Sequence, residues 1–297
     1  MSLYPRSRNI KKEKEGSALC LKSLIPEKFK KGSRMHSKRL VTAAVILPVM
    51  VAAIYFLPAY PYFLGLLVAV AMLAMREFYA MYRVPLKLYL PGVAIGGLLF
   101  YMLCRHPAYF MDAIFISLFL LLVLRLIAGK TPSGCMSDIG PLGIGFFYIA
   151  GFLSFQWFLR EETFGMEYIF LLYTSVWLAD SAAYYVGTYL GRNKLYPVVS
   201  PNKTFEGAFG SVMGGIIGSV TIRGIFDIPD FTVMGAIVIG GLIGAATLVG
   251  DLIESMFKRD AGVKDSGSLI PGHGGLLDKL DGVLIAGPVL YFLLRGF

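Results

Sequence analysis

The chain is divided into apolar runs of about 20 residues, the length a helix needs to cross a bilayer, with short polar segments between them. Such runs leave few folds open. In hydrocarbon every backbone N–H and C=O must be satisfied within the segment, so the spanning element is a helix. Hydropathy places nine spans at about 40–59, 62–80, 88–103, 112–128, 139–159, 167–187, 205–222, 232–250 and 282–295. The expected fold is therefore all-α, a polytopic integral membrane protein. Composition agrees: 16% of residues are charged and 56% hydrophobic, where a soluble domain carries about a quarter charged. Pro48, Pro91 and Pro288 fall inside predicted spans, where neighbouring helices can satisfy the freed backbone groups.

The net charge of +9 is not spread over the chain. Residues 1–40 hold 12 Lys/Arg and 3 Asp/Glu, whereas residues 41–297 hold 16 of each. A basic tail on a membrane protein marks the cytoplasmic side and anionic headgroups, and no nucleic-acid partner is expected. With the N-terminus in the cytosol, cytosolic segments collect 24 of the 28 Lys/Arg and only Arg105, Arg160, Arg223 and Arg295 fall outside. That asymmetry predicts an N-terminus inside and a C-terminus outside. Residues 1–36 are polar and Lys-rich without helical periodicity, which reads as a disordered arm ahead of a transmembrane domain over 37–297. Met35 precedes the Ser37-Lys38-Arg39 flank of the first run and is expected to be the physiological start. Cys20, Cys104 and Cys135 are odd in number and widely spaced, which indicates neither a disulfide framework nor a zinc site.

Gly210, Gly214 and Gly218 recur every fourth residue, as do Gly240 and Gly244, a spacing that predicts close helix packing through small faces. No GxxxxGK[ST] occurs, so these glycines are not a phosphate-binding loop.

Polar residues beyond the arm gather in two cytosolic segments, 192–207 and 251–281, and at one intramembrane acid. If the eighth span continues as a helix, Asp251, Glu254, Ser255 and Lys258 share a face at i, i+3, i+4 and i+7; ordinary pairing on a solvated helix end is the plainer reading. Pro271-Gly272-His273-Gly274-Gly275 cannot continue a helix and offers backbone N–H groups with little side-chain cover, open to an anion or nucleotide. Asp278 and Asp281 follow at i, i+3 at the start of the ninth span, where the helix dipole favours them in any case.

The combination carries the argument. Asp251, Asp265, Asp278 and Asp281 stand with Lys258, Arg259, Lys264 and Lys279 at the membrane surface. Carboxylates alone would repel an anionic substrate, and a divalent cation reverses that sign. Oxygen-only donors suit Mg²⁺, which uses one or two carboxylates, waters and substrate phosphates, while bases hold the remaining phosphate oxygens. The composition points to metal-assisted phosphoryl chemistry. In the other segment, Ser200 and Pro201 read as N-cap and N1 of the seventh span, and Lys203 and Thr204 either belong to that helix start or turn toward phosphate. Asp180, within the sixth span, is expected to face a polar cavity or to bond Tyr184, Ser181 or another helix.

The run Ser255-x-x-Lys258-Arg259, four residues, Lys264-Asp265-x-Gly267, three residues, Pro271-Gly272-His273-Gly274-Gly275-x-x-Asp278-Lys279-x-Asp281 resembles the signature of phosphatidate cytidylyltransferases, also called CDP-diacylglycerol synthases. Ser200-Pro201-Asn202-Lys203-Thr204-x-Glu206-Gly207 and the Asp180-bearing span are similar to further features of that family. The family usually has Arg where this chain has Lys279. The resemblance implies an enzyme that condenses CTP with phosphatidic acid in the inner membrane, giving CDP-diacylglycerol and pyrophosphate, with Mg²⁺ and room for a second metal ion. It implies metal ligation by Asp251, Asp278 and Asp281, with Lys258 and Lys264 as further catalytic groups. Lys203, Lys258, Arg259 and Lys264 would hold phosphates, with His273 and the glycine turn on the nucleotide side. Ser200, Thr204, Glu206, Ser255, Asp265, Lys279 and Asp180 complete the expected substrate contacts, and a homodimer is one arrangement left open. Two other readings stand beside this one: a membrane CTP transferase acting on another lipid phosphate, and an ion-coupled transporter built on Asp180 and broken helices.

Overall fold

The computed structural model describes residues 44–45, 47–129, 131–229, 231–270 and 274–296. The basic arm, Met35 and Cys20 lie outside the described residues. Among the described residues nine helices follow in order: α1 (Leu47–Phe56), α2 (Ala59–Met81), α3 (Leu86–Arg105), α4 (Pro107–Ala128), α5 (Cys135–Glu161), α6 (Gly165–Tyr189), α7 (Phe205–Ile225), α8 (Val233–Asp260) and α9 (Asp281–Gly296). Seven of them, α2 to α8, are long and apolar enough to span a membrane. The predicted span at 282–295 corresponds to a shorter helix, α9, and α1 lies within the described part of the predicted span at 40–59. A 3₁₀ turn at Leu277–Lys279 precedes α9, so Asp278 and Asp281 belong to different elements instead of one helical turn. α4 presents Phe115, Ile116, Phe119, Leu126 and Ile127 outward, as a lipid-facing helix does. The protein is an integral membrane protein of helical class.

Between α6 and α7 the chain makes a small antiparallel hairpin, β1 (Lys194–Tyr196) and β2 (Ser200–Thr204), with Lys194 opposite Thr204 and Tyr196 opposite Ser200. This corrects the expected helix start. Ser200 is not the N-cap, because strand pairing draws Ser200–Thr204 into extended backbone; Thr204 (φ −129°, ψ 158°) caps α7 and accepts the Gly207 N–H at 3.1 Å. Pro201 is tolerated in this strand because the hairpin leaves an edge where no N–H is needed.

The glycine spacing does what it predicts. Gly210, Gly214 and Gly218 lie against the main chain of α6 at Ala182, Leu178 and Ser175, while Gly215 of the same helix meets Gly240 and Gly244 of α8. Ser211 Oγ donates to the Gly244 carbonyl across that seam at 2.9 Å. α7 is thus held between two helices at backbone distance. Gly250 does the same for α9, whose Asp281 carbonyl and Gly282 lie directly beneath it. The other half is packed by large side chains. Phe257 from the end of α8 inserts edge-on against Phe78 of α2 and Tyr148 of α5, with ring centroids 5.3 Å apart in each case. The α4–α5 turn closes on Arg125, which meets Asp138 at 2.7 Å and donates to the carbonyls of Thr131 and Ser133. Cys104 and Cys135 are free thiols.

Candidate functional site

Where α6, the hairpin, α8 and the start of α9 converge, they enclose a cavity of about 600 Å³. Each contributes a charge because the glycine seams bring their backbones together there. α6 supplies Asp180, β2 Lys203, α8 Asp251 and Lys258, and the 261–281 segment Asp265, Asp278, Lys279 and Asp281. Ser200 and Thr204 also line the space. α8 runs unbroken to Asp260, so the predicted stripe of Asp251, Glu254, Ser255 and Lys258 is real.

Two lysines organise the acids. Lys203 Nζ lies 2.6 Å from Asp251 Oδ2, and Ser255 Oγ donates to Asp251 Oδ1 at 3.2 Å. Lys258 Nζ is held between Glu254, a fully buried carboxylate, and Asp278 Oδ1 at 2.8 Å. Lys258 therefore braces the 261–281 segment against α8, and its ammonium is already committed to two anions. Asp278 is more fully committed still. Besides Lys258 it accepts the Ser266 N–H at 3.1 Å and the Gly275 N–H at 2.7 Å. Burial alone would raise its carboxyl, but the Lys258 ammonium and the Gly275 N–H outweigh that and hold it below the ordinary carboxylate range. Asp281 accepts only the N–H of its own neighbour Gly282, at 2.8 Å, and Asp180 has no hydrogen bond among the described residues.

The remaining expected contacts stand elsewhere. Glu206 accepts the N–H groups of Arg192 and Asn193 and the Asn193 side chain, fastening the hairpin. Arg259 donates to the carbonyls of Val199 and Val263, tying hairpin to loop. Lys264 is exposed, and neither it nor Glu206, Ser255 or Arg259 lines the cavity. Gly274 takes a left-handed φ of 95° and its carbonyl accepts the Ile270 N–H, pinching the loop; Gly275 is buried so tightly that a Cβ would strike Ser266 and Glu77. Pro271, Gly272 and His273 lie outside the described residues.

Glu77 of α2 is a residue the sequence reading missed. It is 8% exposed, and its Oε2 accepts the Leu277 N–H at 2.9 Å and the Ser266 hydroxyl at 3.3 Å. The acid is thereby the anchor of the loop that carries Asp278. Its signal was available: an acid inside an apolar span deserves the same functional presumption as Asp180.

Five aspartates and three lysines line the cavity, a formal excess of two negative charges. Among the described residues no three acidic, His or Cys side chains converge closely enough to hold a metal ion by themselves. Mg²⁺ asks less, one or two carboxylates with waters and substrate phosphates, and it would cancel the excess. Asp251 and Asp281 fit that use. Asp278 fits it less well, because Lys258 and two backbone N–H groups of its own loop hold its oxygens, whereas Asp251 is held by the Lys203 and Ser255 side chains, which can turn away.

The cytidylyltransferase family matches residues 37–297 of the chain. A phosphatidate cytidylyltransferase from Thermotoga maritima is 30% identical over 264 residues, covering 86% of this chain and 95% of that protein. Phosphatidate cytidylyltransferases from Staphylococcus epidermidis and Staphylococcus aureus are 37% and 38% identical over 160 and 162 residues. Those two alignments cover 54% of this chain and 58% of each staphylococcal protein.

Proposed function

The chain belongs to the cytidylyltransferase family, and on that footing we propose that it transfers the cytidylyl group of CTP to phosphatidic acid, giving CDP-diacylglycerol and pyrophosphate. The observation that carries the proposal is the cavity of mixed charge at the membrane-spanning ends of α6 and α8, where carboxylates and ammonium groups face one another and none of the described lining residues is a Cys or His. That inventory suits a reaction whose nucleophile is already an anion. A phosphatidate oxygen attacks the α-phosphorus of CTP, the new P–O bond forms as the bond to the β-phosphate bridging oxygen breaks, and pyrophosphate carries away the electron pair.

The obstacle is charge. Two like unit charges about 4 Å apart repel by about 1 kcal/mol even in water and by more in a drier site. Lys203 and Lys279 are the lining cations placed to take phosphate oxygens, Lys203 by exchanging Asp251 for substrate. Lys258 holds Asp278, and through it the loop, so that its part is positioning. Asp251 and Asp281 would hold Mg²⁺, which when bound supplies Lewis-acid neutralisation of the phosphates. Glu77 keeps the loop in place, and Asp180 lines the cavity on the α6 side.

The bias of Lys/Arg toward one set of loops supports a cavity opening to the cytoplasm, where CTP is found, with phosphatidic acid entering sideways from the same leaflet. The test is direct. Purified protein is incubated with labelled CTP, phosphatidic acid and Mg²⁺, and labelled CDP-diacylglycerol is the expected product. Folded protein that yields no product above a no-enzyme control would overturn the proposal. A polyprenyl phosphate that outcompetes phosphatidic acid would reassign the lipid and leave the headgroup chemistry intact.

A further inference from the structure

We propose that the groove between α2 and α3 is a binding site for an anionic phospholipid, separate from the charged cavity. The groove encloses about 710 Å³ and is lined by Met72, Arg76, Arg83, Tyr89, Leu90 and Val93, among others. Its chemistry is divided along its length. At the end near the α2–α3 turn stand two guanidinium groups, and the wall running away from them into the span is aliphatic. A phospholipid has the same division, with the phosphate as the only strongly charged part of a molecule that is otherwise hydrocarbon.

Three observations single out the arginines. Neither has a carboxylate partner within ion-pair distance among the described residues. Arg76 lies within a membrane-spanning helix, where an unpaired charge is costly and calls for a partner; its Nε donates to Tyr89 Oη at 3.2 Å, which fixes the side chain and leaves the terminal nitrogens for a ligand. Arg83 adopts a left-handed backbone (φ 55°) that glycine or asparagine would take more easily. The turn holds it there, with the Arg83 N–H on the Ala80 carbonyl and the Val84 N–H on the Tyr79 carbonyl. A phosphate accepts guanidinium hydrogen bonds in pairs and with charge assistance, and an acyl chain would cover Met72, Leu90 and Val93.

The groove opens on the same side of the bilayer as the cavity. Tyr82, beside Arg83, donates to Asp260 at 3.0 Å at the end of α8, and Glu77, beside Arg76, holds the loop that bears Asp278. The ligand therefore comes from the leaflet that the charged cavity faces. The inference rests on the groove itself and stands whether or not the proposed transferase reaction is correct.

The experiment reads retained lipid. Full-length protein is reconstituted in phosphatidylcholine vesicles containing a minority of phosphatidylglycerol, extracted gently, and its bound lipids are counted by native mass spectrometry. The parent protein is expected to retain phosphatidylglycerol in preference to phosphatidylcholine. Arg76→Gln with Arg83→Gln should weaken that retention about a hundredfold, the loss of two charge-assisted contacts at about tenfold each, whereas Arg76→Lys with Arg83→Lys should keep most of it. Leu90→Trp, which fills the aliphatic wall and touches neither arginine, should also lower retention, and it tests the site even if the double variant is unstable. Equal phosphatidylglycerol retention by the parent, the Gln variant and Leu90→Trp would overturn the proposal, as would equal retention of phosphatidylcholine by the parent. Displacement of the lipid by inorganic phosphate alone would overturn the acyl-chain part, since it would make the groove a phosphate site.

Discussion

The half of the molecule built from α6, α7 and α8 and the half built from α2 to α5 are both tightly packed, by opposite means. In the first, a methyl group added at Gly214, Gly218, Gly240 or Gly244 would strike main-chain atoms of the facing helix. In the second, a methyl added at Gly92, Gly96 or Gly97 would meet the outer atoms of Leu142, Met75 or Met72. A side chain can rotate away and a thioether does so readily; a neighbouring backbone cannot. The charged cavity sits on the half whose spacing is set by main chain. Asp180, Lys203 and Asp251 are thus carried on a frame with few adjustable parts, and the other half reaches the site chiefly through one side chain, Glu77.

The contrast can be broken most severely at the cavity itself. Asp251→Asn keeps volume and removes a carboxylate from the rigid frame, so turnover should fall about a hundredfold to a thousandfold, as when one preorganised electrostatic group is lost, with little change in folded protein. Near-parental turnover at limiting Mg²⁺ would remove Asp251 from the proposed ion site. Next is Lys279, which lines the cavity and has no ion-pair partner among the described residues. Lys279→Ala should raise the apparent KM for phosphatidic acid and lower kcat/KM about tenfold to a hundredfold, the worth of a charge-assisted contact. Lys279→Arg should preserve activity. Kinetics of Lys279→Ala equal to the parent would mean that the ammonium merely reaches for headgroups.

Glu77 tests the single reach from the compliant half. Glu77→Ala strands the Leu277 N–H and the Ser266 hydroxyl in a buried place, at a cost of about 1–3 kcal/mol, and limited proteolysis should then cut within residues 261–276 sooner than in the parent. Glu77→Gln keeps an acceptor and should behave much more like the parent; identical cleavage of all three proteins would show that the loop is held by Lys258 alone. The smallest effects compare the two packings directly. Gly214→Ala should destabilise by about 1–3 kcal/mol, the usual cost of overpacking, whereas Gly97→Ala should stay within about 1 kcal/mol because the gain in helix propensity offsets the displacement of Met72. Equal losses of denaturation midpoint in detergent would erase the distinction between the halves.

Much of this was legible in the sequence. The spans follow from hydropathy because lipid leaves the backbone no alternative to internal hydrogen bonding, and the α7 seams follow from glycine periodicity because only small residues admit a second helix so closely. The acids from Asp251 to Asp281 are near one another in sequence, so their convergence could be anticipated. Glu77 could not be joined to them in that way, since its partners lie about 190 to 200 residues further on and nothing in the local pattern names them. The hairpin was hidden by strands of three and five residues, too short to show alternation. The cations separated for a similar reason. Spacing placed Lys258, Arg259 and Lys264 together, but it could not tell that the first would be taken by carboxylates, the second by carbonyl groups and the third left outside the cavity.

One helix sets a scale for all of this. α8 has 28 residues, a rod of about 42 Å at 1.5 Å per residue, against a hydrocarbon core of about 30 Å. Asp251 is fixed to that rod, while the lipid phosphate that its proposed ion would neutralise rides at the headgroup plane of whatever bilayer surrounds it. On the proposed reaction, membrane thickness is thus measured against the length of this helix. A bilayer a few ångströms thicker or thinner than the matched one shifts the substrate's phosphate vertically relative to the Asp251 carboxylate, and tilting the helix to compensate costs fractions of a kcal/mol per ångström. Turnover in vesicles of graded acyl-chain length should accordingly pass through a maximum, and the chain length at that maximum would report the thickness of the membrane for which the protein is built.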